Sequence, residues 1–247
     1  MACYFHGETG IKPSDQPEPT QPMFGKNPIR PPVAGDEGQT LQIVEIFPTL
    51  QGEGPFTGHP AVFVRLGGCN LACSFCDTEF EDFEALPLKQ IVPAIEAKAL
   101  EHHERVRRLV VITGGEPLRQ NIVPLCEQLL ARGFTVQVET NGTVWRPLPE
   151  GVHIICSPKV SAGQYHALRA DLLSRVDALK FIISDTLPDY REVGEVGQNG
   201  RDIPVYVQPM DEYDANRNAA NLARAAMLAQ RDGHRLSLQT HKIMGIP

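Results

Sequence analysis

From residue 41 onward the chain alternates short apolar runs with longer segments of helical period. Its first 38 residues show neither pattern. Leu41-Gln-Ile-Val-Glu-Ile-Phe47 alternates apolar and polar positions, which predicts a short strand with one buried face. Ala61-Val-Phe-Val-Arg-Leu66 is almost continuously apolar and predicts a strand buried on both faces. A helix is predicted over 88–103, despite Pro93 near its first turns, and a strand over 108–113. Next come a helix over 118–132, stopped by Gly133, and a strand over 134–139. Further strands are predicted over 152–156, 178–183 and 204–208, then a helix over 215–231 and a last strand over 236–240. Helical signals are thin after Lys159 and after Ile183, so those crossovers are expected to be partly loops.

Strands alternating with helical segments imply an α/β fold with parallel pairing and right-handed crossovers. Six of the strands lie between Ala61 and Gln208, with a short extra strand at each end. Residues 1–38 differ in kind. They carry Pro13, Pro17, Pro19, Pro22, Pro28, Pro31 and Pro32 with no period, so an extended or disordered leader is expected, and residues 39–247 form one domain. Cys3 and His6 read as solvated leader residues rather than metal ligands.

Composition narrows the function classes. The chain has 247 residues, 42% of them hydrophobic, enough for a sizeable core in one domain. A formal net charge of −7 advertises no basic surface, which argues against direct nucleic-acid binding. No apolar run approaches the roughly 20 residues of a membrane span, and the N-terminus has no signal-peptide core. Six cysteines, three of them crowded into one loop, do not suggest a disulfide framework, and a reducing cytoplasm is the natural setting.

That loop carries the candidate chemistry. Cys69, Cys73 and Cys76 stand at CxxxCxxC spacing directly after the strand 61–66. A closed structural zinc site needs four ligands, and an electron-transfer cluster also uses four cysteines. Three close cysteines with no obvious fourth suggest a 4Fe–4S cluster with one iron open to a small molecule. Cys126 in a helix and Cys156 on a strand read as small core residues. Thr49-Leu-Gln-Gly-Glu-Gly54 is a loop of donors and acceptors without bulk, suited to the edge of a flat polar heterocycle. Arg65 is a charge within an apolar strand, either snorkelling to the surface or paired with a carboxylate. Gly114-Gly115-Glu116-Pro117, Glu139-Thr-Asn-Gly142, Ser157-Pro158-Lys159 and Gln208-Pro209-Met210-Asp211 all follow strands. The C-terminal ends of barrel strands are where ligands gather.

The CxxxCxxC loop resembles that of the radical S-adenosylmethionine (SAM) superfamily. With Thr49-Leu-Gln-Gly-Glu-Gly54, Cys76-Asp-Thr78 and the tail Gln239-Thr-His-Lys-Ile-Met-Gly-Ile-Pro247, residues 41–247 resemble the 7-carboxy-7-deazaguanine synthase family of the queuosine pathway. The resemblance implies a partial (β/α)6 barrel holding a 4Fe–4S cluster on Cys69, Cys73 and Cys76, SAM, and Mg2+ on Thr78 with Asp77 behind it. It places Gly115 and Glu116 on the amino-acid end of SAM, Ser157, Pro158 and Lys159 at its carboxylate, and Gln208, Pro209, Met210 and Asp211 near its nucleoside. Leu50, Gln51, Gly52, Glu53, Arg65, Thr113 and the carboxylate of Pro247 would contact the substrate, 6-carboxy-5,6,7,8-tetrahydropterin. The implied activity is a lyase-type ring contraction to 7-carboxy-7-deazaguanine with loss of ammonia, begun by a 5′-deoxyadenosyl radical. The resemblance also suggests a homodimer, and an electron donor such as a flavodoxin is expected; charge and hydropathy point to no nucleic-acid or membrane partner. No side chain stands out as a general acid or base. Two other classes share parts of the pattern: a glycyl-radical-enzyme activating enzyme, and a zinc or electron-transfer module.

Overall fold

A computed structural model describes residues 27–161 and 163–247. Nine strands form one open sheet. They are β1 (Thr40–Leu50), β2 (Pro60–Leu66), β3 (Glu84–Pro87), β4 (Leu109–Gly114), β5 (Thr135–Thr140), β6 (Val152–Cys156), β7 (Ala178–Ile183), β8 (Val205–Pro209) and β9 (Arg235–Leu236). Their order is β9-β8-β7-β6-β5-β4-β2-β1-β3. Each neighbouring pair from β2 to β9 is parallel, whereas β1 runs antiparallel to both β2 and β3. The six consecutive strands β2 and β4–β8 are the predicted parallel set, and the sheet does not close on itself.

Alternation along the strands sends side chains to two faces. Val62, Val64, Val110, Ile112, Val138, Ile154 and Phe181 join one apolar core with helices α1 (Leu88–Ala99), α2 (Val123–Ala131) and α4 (Ala215–Asp232). Their intervening neighbours Phe63, Arg65, Thr113, Glu139, Lys180 and Gln208 line a cavity of about 430 Å³. The sheet therefore buries apolar residues against helices and turns a face of charged, polar and aromatic side chains to the cavity.

The helix boundaries follow from local chemistry. α4 begins where the Asp214 carboxylate accepts from the N–H groups of Asn216 and Arg217, and it ends at Gly233 with φ +73°. The predicted helix over 118–132 is instead a 3-10 turn at Pro117–Arg119 followed by α2. Pro124 sits in the first turn of α2, where its missing N–H costs nothing, and so marks the true start. The helix expected over 88–103 stops at Ala99. The chain then makes a hairpin of Leu100–Glu101 with Glu104–Arg105, turning through His102 and His103 at positive φ. Among the described residues, the crossovers with thin helical signal hold a short hairpin of Val160–Ser161 with Gln164–Tyr165, α3 (Ala170–Leu173) and the 3-10 turn Pro188–Tyr190. The last strand is shorter than the expected 236–240. It ends at Leu236, and Thr240 opens a short helix, α5 (Thr240–Met244), because the Thr240 N–H leaves the ladder to bond the Gly52 carbonyl at 3.1 Å.

Cys3 and His6 lie outside the described residues. Residues 27–38, the described part of the leader, lie against the body: the Val33 N–H donates to the Arg119 carbonyl at 2.8 Å, and the Asp36 carboxylate accepts from the Asn121 N–H at 2.7 Å. Among the described residues, no helix is long and apolar enough to cross a membrane.

The turn after β4 is packed backbone to backbone. A Cβ on Gly115 would lie 2.1 Å from the Gly68 carbonyl oxygen and 2.9 Å from the Cys69 Cβ. Gly115→Ala should cost about 1–3 kcal/mol through overpacking, read as a fall in thermal midpoint of about 2–4 °C for each kcal/mol. An unchanged midpoint would show that the two turns can separate freely.

Candidate active site

β2 ends in the glycine pair Gly67-Gly68, and the chain then enters the cysteine loop. Cys69, Cys73 and Cys76 all border the inner-face cavity. The Leu71 N–H points at the Cys69 sulfur at 3.4 Å, and the Asn141 amide approaches it at 3.9 Å. Burial raises all three thiols, Cys69 to about 11, and Cys73 and Cys76 add to the shift of Cys69. Left alone they stay protonated; a bound cation would deprotonate them outright. Among the described residues no three Cys, His, Asp or Glu side chains converge on one metal-ion position. A zinc ion would draw thiolates to about 3.8 Å of one another at its usual bond length. Three sulfurs around a shared cavity, with N–H donors facing one of them, fit the corners of a larger, negatively charged cluster.

Lys180 on β7 borders the same cavity as the cysteines. Its ammonium sits 2.5 Å from Glu53 and 2.9 Å from Glu139, and its side chain is only 6% exposed. Burial would push the Glu53 carboxyl up, but the charge and hydrogen bond of Lys180, with a hydrogen bond from Gln239, outweigh it and hold it at about 2. Burial would lower Lys180, yet the two carboxylates raise it well above the ordinary lysine range. One cation between two anions leaves a net negative charge, suited to accepting hydrogen bonds from a ligand.

The remaining expected residues divide between those that face the cavity and those that do not. Leu50, Gln51, Glu53, Arg65, Thr78, Thr113, Gly115, Ser157, Lys159, Gln208, Pro209, Met210, Asp211 and Pro247 border it. Gly52, Glu116 and Pro158 are not among its lining residues. Gly52 instead makes room for the tail, since a Cβ there would meet the His241 ring at 2.0 Å. Glu116 is fully buried, and its carboxylate accepts from the Leu118 N–H (2.9 Å), the Thr140 hydroxyl (2.8 Å) and the Asn141 N–H (2.7 Å). Burial pushes it up to about 7 against the pull of those donors. Its evident work is to tie the turn after β4 to the turn after β5.

Arg65 lies opposite Thr113 in the β2–β4 register and pairs with Glu45 at 2.6 Å. The Lys159 ammonium donates to the Ser157 carbonyl and hydroxyl at 2.7 and 2.6 Å, and burial lowers its pKa. Thr78 donates to Asp77 at 3.3 Å. The Thr49 hydroxyl donates to the Pro247 carbonyl, which fastens the chain end beside the loop after β1.

Sequence reasoning passed over Lys180, His241 and Lys242. Lys180 carried the same signal as Arg65, a charge inside an apolar strand. His241 borders the cavity, with its pKa lowered by burial against the pull of Glu53. Lys242 bridges Asp77 and Asp211 at 2.8 and 2.9 Å, so α5 joins the cysteine loop to the end of β8. Nothing in the tail's spacing announces that bridge.

Comparison with known proteins agrees with this geometry. A family model described as the Radical SAM superfamily matches residues 63–156. A 7-carboxy-7-deazaguanine synthase of Rickettsia prowazekii is 52% identical over 225 residues, covering 91% of this chain and 96% of the relative. One from Rhodospirillum rubrum is 46% identical over 243 residues, covering 91% of this chain and 100% of the relative. The crystal structure of QueE from Escherichia coli superposes with a TM-score of 0.63 at 26% identity, covering 81% of this chain and 93% of that one.

The buried triad has a testable pH signature. The folded value of Glu53, about 2, lies below its ordinary 4.5, so its stabilisation is complete above pH 4.5 and fades as pH falls toward 2. Lys180→Met leaves two carboxylates facing each other and should cost about 3–5 kcal/mol at pH 7. Without the ammonium, burial pushes the Glu53 carboxyl up, so the variant should recover stability as pH falls from 7 to 5. Urea unfolding at the two pH values measures this; a variant as stable as the parent at pH 7 would contradict the triad.

Proposed function

The chain belongs to the 7-carboxy-7-deazaguanine synthases of the radical SAM superfamily, and we propose that its inner-face cavity brings cluster, SAM and a carboxylated pterin together. It is a lyase of queuosine biosynthesis that contracts the ring of 6-carboxy-5,6,7,8-tetrahydropterin to 7-carboxy-7-deazaguanine with loss of ammonia. The observation that carries the assignment of the site is the single cavity bordered by the three cysteines, the strand-end loops and Pro247.

Cys69, Cys73 and Cys76 would hold a 4Fe–4S cluster. When bound, the cluster and SAM together supply a carbon-centred radical that takes hydrogen from the substrate. The protein's own residues bind and orient. Gly115 offers backbone without bulk beside Cys69, where the amino-acid end of SAM would lie. Lys159, held by Ser157, presents a half-buried ammonium to its carboxylate. Gln208, Pro209, Met210 and Asp211 wall the side nearer the nucleoside.

On the substrate side, Leu50, Gln51 and Glu53 face the heterocycle together with Thr113. Glu53, ionised at neutral pH, accepts from ring N–H or amino groups. Arg65 offers a planar fork to the substrate carboxylate and exchanges its bond to Glu45 for it. Mg2+ on Thr78 suits an ion that takes few protein ligands and keeps oxygen donors from water and substrate. Asp77, already paired with Lys242, would stand behind it. A one-electron donor such as a flavodoxin, a homodimeric assembly and a cytoplasmic setting complete the proposal. The five described cysteines are all free, which suits a reducing compartment.

Anaerobic incubation with the pterin, SAM and a reductant, with and without magnesium, should yield 7-carboxy-7-deazaguanine, with a higher rate when magnesium is present. No deazaguanine under those conditions would overturn the assignment. Arg65→Ala should raise the Kd for the pterin roughly tenfold or more, the scale of a lost hydrogen bond to a charged group. Iron content should stay at the parent level; unchanged pterin affinity would remove Arg65 from the site.

A further inference from the structure

The cysteine loop has little structure of its own. Within it, the Cys76 N–H reaches the Cys73 carbonyl at 3.1 Å, and most of the remaining order comes from neighbours. Fixing backbone costs about 1–2 kcal/mol per residue, so those external ties decide how well three sulfurs hold their places.

The leader supplies ties at both ends of the loop. Ile29 forms a parallel bridge with Cys69, and the Arg30 N–H donates to the Cys69 carbonyl at 2.7 Å. At the far end, the Asn27 amide donates to the Thr78 carbonyl at 3.0 Å. The Arg30 guanidinium pairs with Glu81 at 2.5 Å and lies 5.4 Å over the Phe83 ring. Phe83 in turn packs so closely on Gly67 that a Cβ there would meet the ring at 2.4 Å.

Behind these contacts stands Arg119, only 3% exposed. It donates to the Pro31 carbonyl at 3.1 Å and to the Gly67 carbonyl at 3.0 Å, while its own carbonyl accepts from the Val33 N–H at 2.8 Å. One buried side chain thus fastens the leader and the entry to the cysteine loop to the same post. Pro28, Pro31 and Pro32 hold the strap extended without further strand pairing.

We infer that residues 27–33 are a clasp belonging to the cluster-binding unit, gripping the loop at Cys69 and Thr78 so that the cluster is retained once loaded. This rests on the assignment of the three cysteines to a 4Fe–4S cluster. The clasp acts on retention and takes no part in the chemistry, so Asn27, Arg30 and Arg119 are positioning residues.

The test compares anaerobically loaded proteins for iron per chain and for the rate of iron loss to a ferrous chelator. The forms are the full chain, the full chain with Arg30→Pro, the full chain with Asn27→Ala and Arg30→Ala, and chains beginning at residues 27 and 34. Arg30→Pro removes both the N–H that reaches Cys69 and the cation that meets Glu81. The full chain and the chain beginning at residue 27 should lose iron at the same rate. Arg30→Pro and the chain beginning at residue 34 should lose it roughly tenfold faster, the scale of one or two lost hydrogen bonds, with the double alanine variant between. Iron loss from Arg30→Pro at the parent rate would overturn the clasp, even if the shortened chain failed to fold. A full chain that takes up no iron would instead overturn the cluster assignment, and the clasp with it.

Discussion

The inner face of the sheet is organised by the ammonium of Lys180, held between Glu53 and Glu139. A buried charge is tolerable only when paired and hydrogen-bonded. Here the pairing joins the loop after β1, strand β5 and strand β7, three segments far apart in the sequence. Gln239 adds the tail by donating to Glu53 at 2.9 Å. This cation is thus one of the ties that place the loop after β1 against the sheet, together with the Thr240 N–H to the Gly52 carbonyl and the Gly54 N–H to the Ser237 hydroxyl. Leu50, Gln51 and Glu53, proposed to face the heterocycle, lie at the end of β1 and on that loop.

The other wall of the cavity is held by close packing rather than charge. Gly114 and Gly115 let the turn after β4 press against Leu66, Gly68 and Cys69. Glu116 then ties that turn to Thr140 and Asn141, and the Asn141 amide approaches the Cys69 sulfur. The consequence is a division of labour within four residues: the glycines give access and the glutamate gives rigidity. The Glu116 carboxylate, expected at the ligand, accepts three hydrogen bonds from the scaffold around this turn. α5 closes the remaining side, with Lys242 spanning Asp77 and Asp211.

Much of this was legible in the sequence, and what was not has physical reasons. The parallel core strands are short apolar runs bounded by glycine, proline or polar turns, so periodicity and punctuation locate all six. The cysteine loop announces itself by spacing. Helix ends were less legible: Pro124 starts α2 rather than interrupting a longer helix, and the His102-His103 turn replaces the end expected for α1 without any glycine to mark it. The tail was misread as a strand because Leu236-Ser-Leu-Gln-Thr240 alternates as a strand should. Contacts made at a distance decided otherwise, Thr240 to Gly52 and Ser237 to Gln208. Lys180 and Lys242 were passed over for the same reason, since their partners lie far away in the sequence. The contacts of the leader with the cysteine loop have no local signature, because proline-rich chain looks alike whether it is free or strapped down.

The central claim is that three sulfurs hold an iron–sulfur cluster whose remaining corner is open to SAM. The direct measurement is electron paramagnetic resonance of the anaerobically reconstituted, reduced protein before and after SAM is added. A reduced 4Fe–4S signal that changes on addition of SAM is the predicted result. A protein that binds zinc and no iron, or a cluster signal indifferent to SAM, would contradict the account.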